Sequence, residues 1–263
     1  MNRFIASATI ELLTLSILLL ALCCPLPAQD AKENADFKLA VGLYNDGMYD
    51  LAVEQLKNFI AAYPATSQGI DARYQLGLAQ MKLKRYDEAR VTFQNFALTY
   101  TDHSRAPDAW MQVGEAFAAA GNDREAASAY ERVKVFHPKS PIVPEALLNA
   151  SSIYRKAGEH ESAKKTLRTI IQDYPSSKSL ANARLILAEV YADEGQSDLA
   201  EREARRVAES DASSNVKASA LLFLGRLQAS VSLFDDAAKT FRTLITTYKK
   251  APQTAAAMFE MGS

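Results

Sequence analysis

A small residue recurs at intervals of 37 positions along this chain of 263 residues. The members of this register are Ala52, Ala89, Ala126, Ala163, Ala200 and Ala237. A second small-residue register runs twelve positions earlier, at Ala40, Gly77, Gly114, Ser151, Ala188 and Gly225. Two registers with one period indicate a tandem repeat in which neighbouring backbones approach closely at both positions. Such an array buries its apolar faces by stacking and is typical of a scaffold rather than of an enzyme.

Each repeat reads as two amphipathic helices with a turn between them. In the first repeat, Leu56, Phe59 and Ile60 follow the spacing of one apolar helix face. A glycine recurs at one offset between the two helices, at Gly47, Gly121, Gly158 and Gly195. We expect the left-handed conformation there, because glycine ends a helix in that conformation without a Cβ clash. No segment alternates apolar and polar residues as a strand would, so the sequence predicts an all-α chain.

The second helix of most repeats closes with an aromatic residue, often followed by proline, which cannot continue a helix. The closing residues are Tyr63, Tyr100, His137, Tyr174, Asp211 and Tyr248. We expect the tyrosine at this place to pack against the next repeat.

These recurring positions resemble the tetratricopeptide repeat over roughly residues 33–263. The residues that carry the resemblance, beside the alanine and proline of each unit, include Trp110, Leu76, Leu224, Tyr154, Tyr191, Phe93 and Phe241. The period exceeds the usual length of about 34 residues, and the excess lies in the connector between repeats. This longer form is similar to the repeats of two bacterial envelope proteins, the Tol–Pal-associated periplasmic coordinator and the outer-membrane β-barrel-assembly lipoprotein.

The resemblance implies an all-α, right-handed α-solenoid with six full repeats and the first helix of a seventh. The predicted repeats span about 33–69, 70–106, 107–143, 144–180, 181–217, 218–254 and, in part, 255–263. Because the last segment is apolar and unfinished, we expect the chain to be the N-terminal part of a longer repeat protein. The alternative is that this segment docks as a short cap on the sixth repeat.

The resemblance also implies a concave groove, lined by the first helices, that holds a segment of a partner protein. The predicted groove residues are Phe37, Tyr44, Tyr74, Met81, Glu115, Arg155, Glu189 and Arg226. The first four would offer apolar anchors, and Arg155 or Arg226 would bind a carboxylate of the partner. The alternative for the fifth position of each repeat, such as Phe37, is that it merely packs first helix on first helix.

The first 28 residues do not belong to the repeat. The apolar run at residues 12–22 is too short to span a bilayer, and a cut after Ala28 would suit signal peptidase. This segment therefore predicts a cleavable signal peptide, residues 1–28, and a periplasmic or exported mature protein. One alternative is a lipid anchor in the outer membrane, at Cys23 or Cys24, which would be the sole source of membrane contact. Another is a buried or membrane-anchoring N-terminal helix.

The composition and the motifs give no indication of catalysis. With 30 basic and 31 acidic residues interspersed, the net charge is −1 and no basic stripe is present for nucleic acid. The S-x-x-K string that begins at Ser162 contains the repeat's own Ala163, and its partner strings are absent. The three histidines, His103, His137 and His160, show no ligand spacing. We therefore expect no enzyme, cofactor, metal or small-molecule substrate.

These features together predict an adaptor or scaffold of the bacterial cell envelope that binds protein partners. One alternative is a structural spacer or self-assembling repeat array, and another is a lipoprotein component of outer-membrane assembly. A periplasmic hydrolase that uses Ser162 is the most distant alternative.

Overall fold

The computed structural model describes residues 27–262, with side chains from Asp30 onward. Of the predicted signal peptide, residues 1–26, with Cys23 and Cys24, lie outside the described residues. Ala28, the predicted cleavage site, falls in the first turn of the first described helix.

The described residues form thirteen α-helices and no strand, so the predicted all-α fold class is confirmed. The helices are α1 (Pro27–Asn45), α2 (Tyr49–Ala62), α3 (Ser67–Lys82), α4 (Tyr86–Thr99), α5 (Ala106–Ala119), α6 (Asp123–Phe136), α7 (Val143–Lys156), α8 (His160–Asp173), α9 (Leu180–Asp193), α10 (Ser197–Ala208), α11 (Ser214–Ser230), α12 (Phe234–Thr247) and α13 (Gln253–Gly262). None of these helices combines the length and the apolar character that a membrane crossing requires.

The chain divides into two units, of which the first ends at Thr92 and the second begins at Phe93. In the first unit, α1 packs on α2 and α2 on α3, and α1 also touches α3. In the second unit, each helix from α5 to α13 packs on the next one. The first helices of successive pairs also touch, α7 with α9, α9 with α11 and α11 with α13. Within each unit, helix pairs therefore stack with first helix beside first helix.

The turn inside each helix pair has one left-handed residue. At Gly47, Gly121, Gly158 and Gly195, φ lies between 74° and 80°, which confirms the predicted conformation. Lys84 and Ser232 occupy the same place in the second and sixth repeats, with φ of 59° and 63°. The next residue donates its N–H to a carbonyl five positions earlier, as Leu233 does to Gln228 at 2.9 Å. This hydrogen bond is the mark of a Schellman-type helix end, and it recurs where glycine does not.

All twelve residues of the two small-residue registers are buried. At Gly114 and Gly225 of the earlier register, the backbone lies against the side chain that follows sixteen positions later in the second helix. A Cβ on Gly114 would lie 2.5 Å from Cε1 of Tyr130, and a Cβ on Gly225 would meet the ring of Phe241. The glycine therefore leaves the space that the aromatic ring occupies, and the two helices of the pair approach closely.

This contact predicts that alanine has opposite effects at two helical glycines. Gly225→Ala should lower the free energy of unfolding by about 1–3 kcal/mol, because the ring of Phe241 has to shift in a packed core. Gly42→Ala is the matched control, since a Cβ there meets nothing within 4 Å. It should raise stability by about 0.5–1 kcal/mol through helix propensity. Urea unfolding followed by circular dichroism measures both, and a Gly225→Ala variant as stable as the wild type would contradict the contact.

Candidate functional site

The accessible side of the first helices carries the ninth and twelfth residues of each repeat, and we call it the first-helix face of each unit. None of its twelve residues is fully buried. In the first unit the residues are Val41, Tyr44, Leu78 and Met81, and in the second they are Glu115, Ala118, Ser152, Arg155, Glu189, Ala192, Arg226 and Ala229. A side chain presented at the same two positions in every repeat suits the binding of an elongated partner segment.

In the first unit, this face is apolar and aromatic. Tyr44 on α1 is partly exposed and meets Tyr49 edge-on, with 5.5 Å between the ring centroids. Met81 holds the same repeat position on α3, the neighbouring first helix, and is also partly exposed. Both side chains therefore offer apolar surface to a partner.

The other two predicted apolar anchors serve mainly in packing. Phe37 is partly buried against the core, with its ring centroid 5.4 Å from that of Phe59 on α2. Tyr74 is only 8% exposed. The cluster against which Phe37 packs includes residues of α2 and of the adjacent first helix, α3.

In the second unit, Arg155 joins two first helices. Its Nη1 lies 2.7 Å from Oε2 of Glu189, and its Nε lies 2.8 Å from Oδ2 of Asp193, so that α7 is tied to α9. Burial raises the pKa of the Glu189 carboxyl, while the charge of Arg155 opposes that rise. The carboxyl of Glu189 is therefore partly shielded from water and lies beside the guanidinium of Arg155.

The other predicted arginine is also paired within the chain. Nε of Arg226 on α11 lies 2.7 Å from Oε1 of Glu260 on α13. The sequence predicted that Arg155 or Arg226 binds a partner's carboxylate, whereas both guanidinium groups already bind carboxylates of this chain. These pairs join consecutive repeats, 34 to 38 positions apart.

Glu115 lies apart from these ion pairs. Its carboxylate accepts a hydrogen bond from Nε2 of Gln112 at 2.7 Å. Partial shielding from water raises its pKa, the charge of Glu145 adds to the rise, and the bond from Gln112 opposes it. The face is therefore locally acidic near α5 and α7.

Sequence reasoning missed a charged cluster between the fourth and fifth repeats. Nζ of Lys164 lies 2.7 Å from Oε1 of Glu161 and 2.7 Å from Oε1 of Glu194, and its side chain is 8% exposed. Nδ1 of His160 lies 3.7 Å from the same Glu194 oxygen. Glu194 is 30 residues beyond Lys164, so no local spacing could reveal the pair.

The residues suggested for other chemistry are not brought together. No hydrogen bond between described residues joins Ser162 to Lys165, the two ends of the S-x-x-K string. Within residues 30–262, no group of three or more His, Cys, Asp or Glu side chains is placed to hold a metal ion. His137 is partly buried, and burial lowers its pKa.

Solved structures with a similar fold include three bacterial proteins. Pseudomonas aeruginosa PilF aligns with a TM-score of 0.55 and 16% identity, over 89% of this chain and 99% of that one. A tetratricopeptide repeat protein of Parabacteroides merdae gives 0.54 and 15%, over 86% and 98%. MamA of Desulfovibrio magneticus gives 0.54 and 15%, over 70% and 97%. At these identities the likeness concerns the fold alone, and no curated protein matches the sequence.

Two family models, both described as tetratricopeptide repeat, match the sequence. One matches residues 37–99 and 74–141, and the other matches residues 145–177. Together they cover more than half of the chain, and the stacked helix pairs agree with them. The chain therefore belongs to the tetratricopeptide-repeat family.

Proposed function

We propose that this protein is a non-catalytic scaffold of the bacterial cell envelope that binds a segment of a partner protein on its first-helix face. Tetratricopeptide repeats generally serve in protein–protein interaction, and this general role supports the proposal. The observation that carries it is the accessibility of the ninth and twelfth positions in all six repeats, above two small-residue registers that are buried throughout.

The apolar part of the face is the better source of binding energy. Tyr44 and Met81 lie at equivalent positions on α1 and α3, which touch each other, and Val41 and Leu78 lie beside them in the repeat. Tyrosine and methionine are enriched at interfaces, because both bury a large area and Met adapts its shape to the partner. An apolar helix or extended segment of the partner fits this surface.

The charged part of the face is better suited to holding the repeats together. A partner's carboxylate at Arg155 would compete with Glu189 and Asp193, and the carboxyl of Glu189 is already partly shielded from water. An uncompensated charge in such a place is costly. Partly exposed ion pairs of this kind contribute about 0–1 kcal/mol each, so the pairs of Arg155 and Arg226 fix the spacing of first helices more than they add binding energy.

The proposed location in the cell envelope rests on the N-terminal segment. The apolar run at residues 12–22, followed by a small residue at Ala28, has the form of an exported leader. Removal of residues 1–28 would also remove both cysteines of the chain, Cys23 and Cys24. A mature chain without thiols suits an oxidising compartment.

Site-specific crosslinking in intact cells tests the binding face. With the photoreactive amino acid p-benzoylphenylalanine at the position of Tyr44 or of Met81 in the full chain, we expect the same crosslinked partner from both positions. Leu51, an exposed apolar residue on α2, is the matched control and should return no such partner. The same product from all three positions would contradict the proposal. Crosslinking to a second copy of this chain would replace it with the self-assembling array.

Substitution of the two anchors, Tyr44 and Met81, measures how much they contribute to binding of the partner. Tyr44→Ala combined with Met81→Ala should weaken capture of that partner by a factor of roughly 30–1,000, since interface anchors contribute about 1–2 kcal/mol each. Leu51→Ala should leave capture unchanged. Because Tyr44 packs on Tyr49, thermal unfolding of the double variant has to show a folded chain before the loss counts as binding. A folded double variant that captures the partner normally would refute the apolar anchor.

N-terminal sequencing of the protein from fractionated cells tests the export. We expect the mature chain in the periplasmic fraction to begin at Gln29. A lipid-modified first residue at Cys23 or Cys24 would instead support the outer-membrane lipoprotein. A chain that begins at Met1 in the cytosolic fraction would contradict the envelope address.

A further inference from the structure

The fifth repeat lacks the aromatic residue that closes the other five. Asp211 stands where Tyr174 and Tyr248 stand in the repeats before and after it. The helix before it is also shorter, since α10 has 12 residues whereas α8 has 14. The fifth repeat therefore ends with a smaller side chain, and its second helix is shorter than that of the fourth repeat.

The hydroxyl of the closing tyrosine reaches back to an earlier part of the chain in two repeats. In the fourth repeat, the hydroxyl of Tyr174 donates to the carbonyl of Pro138 at 3.1 Å, in the connector before its own helix pair. In the first repeat, the hydroxyl of Tyr63 donates to Oδ2 of Asp36 at 3.2 Å, and its ring lies 4.8 Å from that of Phe59. These hydrogen bonds run to an earlier part of the chain, while the ring of Tyr63 shares a buried cluster with Ala72 and Leu76 of the next repeat, as predicted.

In the fifth repeat, the corresponding space is a cavity. Its volume is about 850 Å³, and we call it the fifth-repeat pocket. It is bounded by Asp211 and by Pro175, the residue that corresponds to Pro138, and its apolar wall includes Leu180, Val207 and Val216. The groove that Tyr174 lines at the equivalent connector is about 630 Å³. The pocket is thus larger in the repeat from which the ring is missing.

The charge at the rim of the pocket is positive. Lys178, Arg184 and Arg206 line it, and Asp211 is the one acidic residue among the described residues that do so. Both arginines bind the same carboxylate, that of Glu203, at 2.7 and 2.6 Å. One carboxylate therefore serves two guanidinium groups, which leaves a positive excess for an anion.

We propose that the fifth-repeat pocket binds a tyrosine side chain of a partner peptide together with an adjacent carboxylate. The ring occupies the place that the chain's own tyrosine fills in the fourth repeat, with the carbonyl of Pro175 as the acceptor that corresponds to Pro138. The carboxylate lies at the rim formed by Lys178 and Arg206. This site lies at the connectors and does not depend on the first-helix face, so either proposal can fail alone.

The probe for this site is N-acetyl-tyrosine, which carries both the ring and the carboxylate. In methyl NMR spectra of the full protein, we expect saturable shifts at Leu180, Val207 and Val216. N-acetyl-tyrosine amide, which lacks the carboxylate, should bind severalfold more weakly, and N-acetyl-alanine should cause no saturable shift. Equal binding of all three compounds, or shifts spread over other methyl groups, would overturn the proposal.

Filling the pocket from within the chain gives the sharper test. Asp211→Tyr should raise the melting temperature and weaken the binding of N-acetyl-tyrosine at least tenfold, because the chain's own ring takes the site. Asp198→Tyr makes the same exchange at an exposed position of α10 outside the pocket and should leave binding unchanged. Unaltered binding to a folded Asp211→Tyr variant would refute the site.

A charge reversal covers the case in which Asp211→Tyr does not fold. Arg206 has a 58% exposed side chain, so Arg206→Glu should leave the fold intact. It should weaken the binding of N-acetyl-tyrosine severalfold and that of the amide much less. The same loss for both compounds would contradict the role of the carboxylate.

Discussion

The fold depends on a close contact, seen at Gly114 and Gly225, between the backbone of a first helix and a side chain sixteen residues later in the second helix. Where the backbone residue is glycine, the partner is an aromatic ring, and where it is serine or alanine, the partner is smaller. In the second unit the paired residues are Gly114 and Tyr130, Ser151 and Leu167, Ala188 and Ala204, and Gly225 and Phe241. Where the first-helix residue is glycine, the volume absent from that helix is thus occupied by a ring of the other helix, as close packing requires. Ala188 and Ala204 are small on both helices, and Leu224 of the next first helix belongs to the same buried cluster.

Because the buried small-residue registers hold the helix pairs together, the ninth and twelfth positions of the first helices are able to vary. Tyr44 and Met81 make these positions apolar in the first unit, while Arg155 and Glu189 make them charged and mutually paired in the second. Neither change disturbs the buried registers, since those residues lie on other sides of the helices. The connectors vary in a similar way. The fifth repeat has Asp211 in place of the closing tyrosine, and a pocket lies at that position. Both proposed binding surfaces are thus places where the sequence departs from the repeat.

Features set by local chemistry could be predicted from the sequence. The helix pairs, the left-handed glycines and the burial of the two registers each follow from a period and a residue type. Left-handed Lys84 and Ser232 could have been inferred from the period alone, although their side chains gave no indication. The pairing of Arg155 with Glu189 could not be predicted from the sequence, because it depends on how far a long side chain reaches across two repeats. The burial of Tyr74 agrees with the alternative that the fifth position of a repeat serves in packing.

The most direct measurement of the central contact is a double-mutant cycle on Gly114 and Tyr130. Gly114→Ser and Tyr130→Leu together reproduce the pair found in the fourth repeat at Ser151 and Leu167. Each change alone should lower the free energy of unfolding by about 1–3 kcal/mol, the first through overpacking and the second through a cavity. If the two residues share one volume, the double variant recovers at least about 1 kcal/mol of the summed loss. Strictly additive losses would show that the two positions do not share space, and would contradict the account of how this chain stacks.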